Sequence, residues 1–245
     1  KKVIFTIITN NYDTPNPVTR QNGFDYIMFT DNPDLTVQGW DVRHTTTPQR
    51  HLKIYPFDEL KEYEESIYLD GNISIVGNMT NLIGSMKSDF TTFKHPTRTC
   101  FIQEHYECIK LKKADTELIR DQLAYNVKLG LEPNTGMYQT GVIYRKHTDE
   151  VKRFCADWLS ELKKFTHRDQ LSIMTAVFNT GYTPNGIDWR LFNRYFRLDK
   201  HKPMDKPKVY YFTPYDTGGN IGKAMNEHCK LVPNDAWVAV MDGDI

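Results

Sequence analysis

Short runs of β-branched and aromatic residues, separated by polar stretches, constrain the fold of this chain most strongly. The first run, residues 3–9, is almost entirely apolar, which is typical of a strand buried on both faces of a sheet. Similar runs occupy 26–30, 40–44, 66–69 and 141–145. Because helix-length segments separate several of them, the pattern predicts an α/β fold with a mostly parallel sheet.

Three segments have the apolar periodicity of amphipathic helices. Residues 149–164 give the clearest pattern, with apolar side chains at i, i+3, i+4, i+7, i+8 and i+11. Residues 115–129 and 167–179 repeat it, and Gly181 is placed to end the last helix. A polar, proline-containing stretch at 202–207 indicates a linker between a domain at 1–201 and a short β-α-β piece at 208–245.

Composition excludes some classes of function. Lys plus Arg and Asp plus Glu both number 31 in 245 residues, so net charge gives no reason to expect nucleic acid or an anionic membrane as partner. No apolar run is long enough to span a membrane. The four cysteines form no CxxC pair or zinc spacing, and we interpret them as reduced thiols of a cytoplasmic protein.

Polar residues follow two of the predicted strands. Asp70 and Asn72 come directly after the strand at 66–69, at the edge where ligands bind in open α/β sheets. Their oxygens suit Mg²⁺ or Mn²⁺, which would neutralise a leaving diphosphate; the alternative is a β-turn that favours Asp and Asn. Asp31 ends the strand at 26–30, where it can bind a ribose or base, or form an Asx-turn.

Two further sets combine charges at short spacing. Arg50 and Lys53 are one helical turn apart and can grip a diphosphate together, or be surface cations. His95 and Arg98 precede Glu104, which is near a predicted helix start. This set suits acceptor or donor binding. Alternatively, it is a solvated loop in which the Glu104 carboxylate interacts favourably with the helix dipole.

A third polar cluster opens the helix predicted at 167–179. Arg168, Asp169 and Gln170 are adjacent there, and a carboxylate in this position can hydrogen-bond an acceptor hydroxyl. Thr166 and Asp169 also have the spacing of a capping box, a structural role compatible with the functional one.

Taken in order, these motifs resemble a known family. FTD at 29–31, YLDGNI at 68–73, HPTR at 95–98, GVIYRKH at 141–147 and RDQLS at 168–172 resemble the plant and bacterial glycosyltransferase-like domain related to mucilage biosynthesis proteins. That domain is similar to glycogenin and galactosyltransferase-type GT-A enzymes. The resemblance covers roughly 1–201 and implies a GT-A, Rossmann-like mixed sheet flanked by helices.

The resemblance also implies an activity and its residues. It implies transfer from a UDP- or GDP-sugar donor to a glycan or other hydroxyl acceptor, with Mn²⁺ or Mg²⁺. The implied donor-binding residues are Asp31, Arg50, Lys53, Asp70, His95 and Arg98. The implied catalytic or acceptor-side residues are Asp169, Gln170 and Glu104, and the implied metal ligands are Asp70, Asn72 and His201. The chain has DGN where many GT-A enzymes have DxD, so a non-catalytic nucleotide- or glycan-binding relic is the alternative.

The segment 208–245 resembles something else, the opening of a second GT-A domain of the inverting family-two kind. Its Asp242 and Asp244 match a DxD motif. The resemblance implies that this piece is a truncated start of a second domain, without the parts that would bind an acceptor.

Overall fold

The computed structural model describes residues 1–202, 209–212 and 237–240. The chain divides into two compact units, Lys1–Lys202 and Pro203–Ile245. The first unit contains a mixed seven-stranded sheet flanked by helices. The predicted α/β class with a mostly parallel sheet is therefore confirmed for this unit.

The sheet has the strand order β3-β2-β1-β4-β7-β6-β8. Strands β3, β2, β1 and β4 run parallel, whereas β7 runs antiparallel to both β4 and β6. Its strands are β1 Lys2–Ile8, β2 Asp25–Thr30, β3 Asp41–His44, β4 Glu65–Leu69, β6 Phe90–Lys94, β7 Tyr138–Lys146 and β8 Asn185–Ile187. The carboxyl ends of the parallel strands and the start of β7 therefore meet at one edge.

Seven α-helices lie among the described residues of this unit. They are α1 Gln49–Ile54, α2 Met79–Gly84, α3 Phe101–Lys110, α4 Thr116–Leu129, α5 Asp149–Lys164, α6 Asp169–Thr180 and α7 Phe192–Tyr195. Helix α5 has the predicted bounds, and the Thr148 side chain accepts from Val151 N at its start. Gly181 ends α6 in the left-handed conformation with φ 69°, which glycine adopts without steric cost.

The capping-box interpretation of Thr166 and Asp169 is wrong. Asp169 is the first residue of α6, and Arg168 is the N-cap without a side-chain capping bond. Thr166 Oγ1 accepts instead from Arg168 N at 3.3 Å. The reason is that the Asp169 carboxylate is engaged by Lys53 and Thr140, on β7, rather than by the backbone before the helix.

The sheet is buried on both faces, as the apolar run of β1 predicts. Val3, Phe5 and Ile7 face a cluster that includes residues of α1, α5 and α6, while Ile4 faces a second cluster with residues of α2 and α7. Trp158 of α5 is fully buried, and its Nε1 donates to Asp169 O at 3.0 Å. The core packing of α5 thus fixes where α6 begins.

The remaining strands form two small sheets. Strand β5, Ile73–Ile75, pairs antiparallel with β9, Phe196–Leu198. In the second unit, β10 Val209–Phe212 and β11 Trp237–Val240 pair in parallel. The helix of the predicted β-α-β piece, most of the linker at 202–207, and Asp242 and Asp244 lie outside the described residues, so the second transferase domain stays a prediction. None of the helices that the structure describes combines the length and apolarity needed to cross a bilayer.

Candidate functional site

A cavity of about 280 Å³ opens at the edge of the sheet where the parallel strands end. Strands β1 and β4 end beside it, and β7 begins there, with Asp70 N donating to Gly141 O at 2.8 Å. Helix α1 and the first turn of α6 contribute to its wall. Most of the predicted site residues line this cavity: Arg50, Lys53, Asp70, Asn72, Asp169, Gln170 and His201.

Asp70 presents its carboxylate to this cavity directly after β4, and 31% of its side chain is exposed. Its Oδ1 accepts from Tyr68 Oη at 2.7 Å and from Lys53 Nζ at 3.2 Å. Burial, followed by the charge of Asp70, raises the pKa of Tyr68 well above its usual value. The phenol therefore stays protonated and keeps donating, which orients the carboxylate.

Lys53 connects two carboxylates from different elements. Its side chain is only 2% exposed, and its Nζ lies 2.7 Å from Asp169 Oδ2 and 3.2 Å from Asp70 Oδ1. Arg50, one turn earlier in α1, has its Nη1 3.7 Å from Asp169 Oδ1. Buried charges are retained in proteins when they are paired in this way. The predicted pair of cations thus faces the cavity, together with two of the predicted carboxylates.

Asp169 is held as an anion. Burial opposes its ionisation, but the charges of Lys53 and Arg50, with hydrogen bonds from Lys53 and Thr140, hold the pKa of this carboxyl well below its usual range. Asp169 in turn is the largest cause that raises the pKa of Arg50. A carboxylate with such a low pKa is a poor proton acceptor at neutral pH, so the geometry favours a role in positioning Lys53 and Arg50.

Arg145 supports this arrangement from within the core, and the sequence analysis did not identify it. It is fully buried on β7, and its Nη2 donates to Lys53 O at 2.6 Å. The guanidinium lies 5.3 Å from the centre of the Phe90 ring. A charged residue inside an otherwise apolar strand, in GVIYR, was the available signal for a buried structural contact.

His201 and Asn72 meet at another part of the wall. His201 Nδ1 lies 2.6 Å from Asp13 Oδ2, and its Nε2 lies 3.4 Å from Asn72 Nδ2. Asn72 Nδ2 also donates to Asp199 O at 3.0 Å. Asp13 is 3% exposed and was missed, because a single acidic residue in the polar loop after β1 does not by itself indicate a site.

The donor chemistry of this wall fits a divalent cation with few protein ligands. Among the described residues, no group of three His, Cys, Asp or Glu is placed to hold a metal ion. Asp70, Asn72 and His201 nevertheless line one cavity, and the Asp13 carboxylate contacts Nδ1 of the His201 ring, a support that is usual for metal-binding histidines. Such a set suits Mn²⁺ or Mg²⁺ that takes its other ligands from phosphates and water.

A second cavity, of about 590 Å³, adjoins the first and shares Gln49 and Arg50 with it. Asp31 lines it, together with the residues after β3 and the end of α5. The Asp31 carboxylate accepts from Asn10 N at 3.1 and 2.9 Å, and Asn10 has a φ of 57°. Asp31 therefore stabilises a left-handed turn while one side of it faces this cavity.

His95, Arg98 and Glu104 are not brought to either cavity. The Arg98 guanidinium contacts the Glu104 carboxylate, which is 3% exposed. Thr97 N and Arg98 N donate to His95 Nδ1 at 3.2 and 3.0 Å. Burial, then the charge of Arg98, lowers the pKa of His95 to about 4. These contacts fasten the loop before α3 to the first turn of that helix.

Comparison with known proteins places this domain in a class. An α/β sheet with a charged cavity at the ends of its parallel strands is a ligand-binding arrangement. The sequence model of the "TOD1/MUCI70, glycosyltransferase-like domain" family matches residues 57–194. That range is more than half of the 245 residues. The chain belongs to this glycosyltransferase-like family, and the predicted relationship is confirmed. Arg50, Lys53, Asp31 and His201 lie outside the matched range.

Two solved structures resemble the chain at low identity. The WbbM bifunctional glycosyltransferase, in its apo structure, is 9% identical with a TM-score of 0.43 over 75% of this chain and 38% of WbbM. Mouse xyloside xylosyltransferase 1, in its apo form, is 10% identical with a TM-score of 0.40 over 82% of this chain and 95% of that protein. The chain thus spans well under half the length of WbbM. No curated protein sequence matches the chain.

Proposed function

We propose that this protein transfers a sugar from a nucleotide-diphosphate donor, a UDP- or GDP-sugar, to a hydroxyl acceptor with the help of a divalent metal. The observation that carries the proposal is the convergence of Arg50, Lys53 and Asp70 on one cavity at the carboxyl edge of the sheet. Cations grip a diphosphate, and a carboxylate beside them recruits the metal that neutralises it.

The two adjoining cavities can divide the donor between them. The larger one, beside Asp31, takes the nucleoside, whose ribose or base is a hydrogen-bonding partner for that carboxylate. The diphosphate then lies at the shared residues Gln49 and Arg50 and reaches toward Lys53. The sugar would occupy the smaller cavity, beside Gln170.

Asp70, Asn72 and His201 would hold Mn²⁺ or Mg²⁺. Bound there, the metal would stabilise the charge that develops on the leaving diphosphate. Asp13 would keep the His201 ring oriented through its Nδ1.

Asp169 and Gln170 have different tasks in this proposal. Asp169 keeps Lys53 and Arg50 in place. Gln170 Nε2 donates to Tyr138 O at 3.2 Å, which fixes the amide and leaves its oxygen to accept from a sugar hydroxyl. Glu104, His95 and Arg98 have no part in this proposal, because they line neither cavity.

One observation favours the alternative, a non-catalytic nucleotide- or glycan-binding relic. Asn72 stands where a second carboxylate would strengthen metal binding, and its amide nitrogen is engaged with Asp199 O. A weakened metal site would leave nucleotide binding intact while slowing transfer.

The cytoplasmic location, inferred from cysteine usage, is a prediction that cell fractionation tests.

A donor-hydrolysis panel tests the proposal. UDP- and GDP-sugars are incubated with the wild type and with Asp70→Ala, in Mn²⁺, Mg²⁺ or chelator, and nucleotide release is measured alongside thermal stability. We expect the wild type to hydrolyse one donor class when metal is present. Asp70→Ala should lose this activity, whereas the exposed control Asp34→Ala should keep it. Stabilisation without turnover would support the relic instead. No response to any nucleotide at saturating concentration, where binding stabilises by about 2.7 kcal/mol at 100 times Kd, would refute the transferase and the nucleotide-binding relic.

A further inference from the structure

Among residues 1–202, two cations on the wall of the smaller cavity have no acidic partner. Arg50 and Lys53 are balanced by Asp169 and Asp70, and Asp13 is paired with His201. Lys113 and Arg168 line the same cavity. Within residues 1–202, no ion pair within 4 Å joins either of them to a carboxylate, so the wall carries uncompensated positive charge on this side.

Arg168 is half-buried, which makes the missing partner significant. Its Nε is buried without a hydrogen-bond partner among the described residues, and the side chain that its guanidinium contacts is the thiol of Cys108, not a carboxylate. Removing part of a guanidinium from water costs free energy unless an anion or acceptor compensates it. Arg168 is also the N-cap of the twelve-residue helix α6 and caps it with no side-chain bond, so the partial positive charge of the helix terminus lies at the same place.

Lys113 is exposed, but its backbone is held firmly. Its N donates to Cys108 O at 2.9 Å, and Lys112 N donates to Ile109 O at 3.1 Å. Lys112 has a φ of 48°, which turns the chain sharply after α3. The end of α3 therefore fixes the backbone from which the Lys113 side chain reaches the cavity.

We infer that Lys113 and Arg168 bind a carboxylate or phosphate group of the sugar acceptor. The inference rests on the proposed function, in which Arg50, Lys53 and Asp70 hold the donor diphosphate. Lys113 and Arg168 come from the α3–α4 connection and the start of α6, whereas the proposed diphosphate ligands come from α1 and β4. The acceptor class is thus an acidic glycan or another anionic hydroxyl compound, with the neutral amides of Gln139 and Gln170 beside its hydroxyl groups.

Ligand-observed NMR titration with small probes tests this inference. The probes are D-glucuronate, glucose 6-phosphate and glucose, each added to the full chain with and without saturating UDP or GDP and Mn²⁺. We expect glucuronate or glucose 6-phosphate to bind at least tenfold more tightly than glucose when the nucleotide is already bound. Binding should weaken at higher salt, because it depends on exposed charges.

Variants assign the binding to these side chains. Lys113→Gln is an exposed change that leaves folding intact, and it should weaken anion binding at least threefold. Adding Arg168→Gln should weaken it at least tenfold, while the neighbouring Lys112→Gln, outside the cavity wall, should not change it. A folded Lys113→Gln protein keeps the test decisive where the double variant is unstable.

The outcomes separate this inference from the proposed function. Equal binding of glucuronate and glucose, or an equal loss in Lys112→Gln, would overturn the acceptor site. Displacement of glucuronate by UDP or GDP would also overturn it, because the two cations would then serve the donor diphosphate. If neither nucleotide binds, the proposed function fails; anion binding that still depends on Lys113 would then support the anion site without a donor.

Discussion

Lys53 is the residue on which the charge distribution of the cavity depends. Its Nζ lies between Asp169 and Asp70, and the side chain is almost completely buried. Removing one partner of a buried ion pair typically costs about 3–5 kcal/mol because the other charge is left uncompensated. Loss of either carboxylate would therefore destabilise the fold, and the two contacts keep a cation at the place where we propose that the diphosphate binds.

Gly141 has no side chain, and this leaves room for the Asp70 carboxylate in the cavity. A Cβ at this position would lie 3.0 Å from Asp70 Oδ2 and 2.9 Å from Gln139 Oε1. Gly141→Ala should therefore displace the carboxylate and lower the affinity for UDP or GDP in Mn²⁺ by about tenfold, or about 1.4 kcal/mol. Isothermal titration calorimetry measures the change.

Gly84→Ala is the matched control, because a Cβ at Gly84 of α2 would meet nothing within 4 Å. Both variants should unfold in urea at nearly the wild-type midpoint, since the atoms crowded at Gly141 are the ends of flexible side chains. Wild-type nucleotide affinity in Gly141→Ala would show that the position of Asp70 does not matter for binding.

At this scale the sequence located the charged residues but not their supporting contacts. Asp70 was identified because it follows a strand, Asp169 because it opens a helix, and Lys53 because it is one helical turn from Arg50. Asp13 and Arg145 were missed, because their partners, His201 and Lys53 O, are distant in the sequence. Glu104 was selected for its place at a helix start, but its ion pair with Arg98 lies away from the cavities.

At the scale of elements, a short segment after β9 closes one side of the site. Asp199 N donates to Asn72 O at 2.8 Å, and Ser74 Oγ donates to Asp199 Oδ2 at 2.6 Å. Asp13 accepts from Lys202 N at 2.8 Å and pairs with His201. The segment is therefore held beside Asn72 from two sides, by the loop after β1 and by the residues from Asn72 to Ser74.

Asp13→Ala should release this segment. The change removes the acceptor of Lys202 N and of the His201 ring, which are two of the contacts that attach the segment to the loop after β1. We expect amide hydrogen exchange of Asp199 and Lys202, whose N–H groups are hydrogen-bonded, to become at least tenfold faster, with β1 and β4 protected as before. The exposed Asp34→Ala is the control, and unchanged exchange in Asp13→Ala would mean that other contacts hold the segment.

The elements that the sequence predicted well are those with a long apolar pattern. Helix α5 has the predicted bounds because its apolar stripe extends over four turns and Thr148 caps it. Strand β6 and helix α3 were not delimited, since β6 contains two buried threonines and α3 buries Glu104 and His105. Such polar residues are accommodated by tertiary contacts, which a periodicity argument cannot include.

At the scale of the whole unit, the sheet has a parallel part and an antiparallel part that meet at the site. Strands β3, β2, β1 and β4 come from the first 69 residues; β7 alone runs in the opposite sense, and β6 and β8 beyond it run in the sense of β4 again. This reversal brings the start of β7, with Thr140 and Gly141, to the end of β4. The sequence predicted the mixed sheet only through the family resemblance.

Two half-buried histidines should make the stability of the unit depend on pH. Burial, then the charge of Arg145, lowers the pKa of His147 to about 4, and the pKa of His95 is also about 4. An unfolded histidine titrates near 6.5, so the unfolded state binds more protons between these values. Stability is therefore fully present above about pH 6.5 and is lost as the pH falls toward 4.

Urea unfolding at pH 7, 6 and 5 measures this dependence. His147→Gln should reduce the slope of unfolding free energy against pH, whereas His44→Gln, at an exposed position, should leave it unchanged. An identical slope in His147→Gln and the wild type would show that the ring is not kept neutral by the fold.

The central claim is that the end of β4 presents Asp70 to a cavity that binds a metal and a diphosphate. Anomalous diffraction from crystals soaked with Mn²⁺ and UDP or GDP tests it most directly. The account predicts one manganese peak in the cavity, bound to the Asp70 carboxylate and to the diphosphate, with the nucleoside beside Asp31. A nucleotide bound elsewhere on the molecule, or both cavities empty at saturating nucleotide, would contradict it.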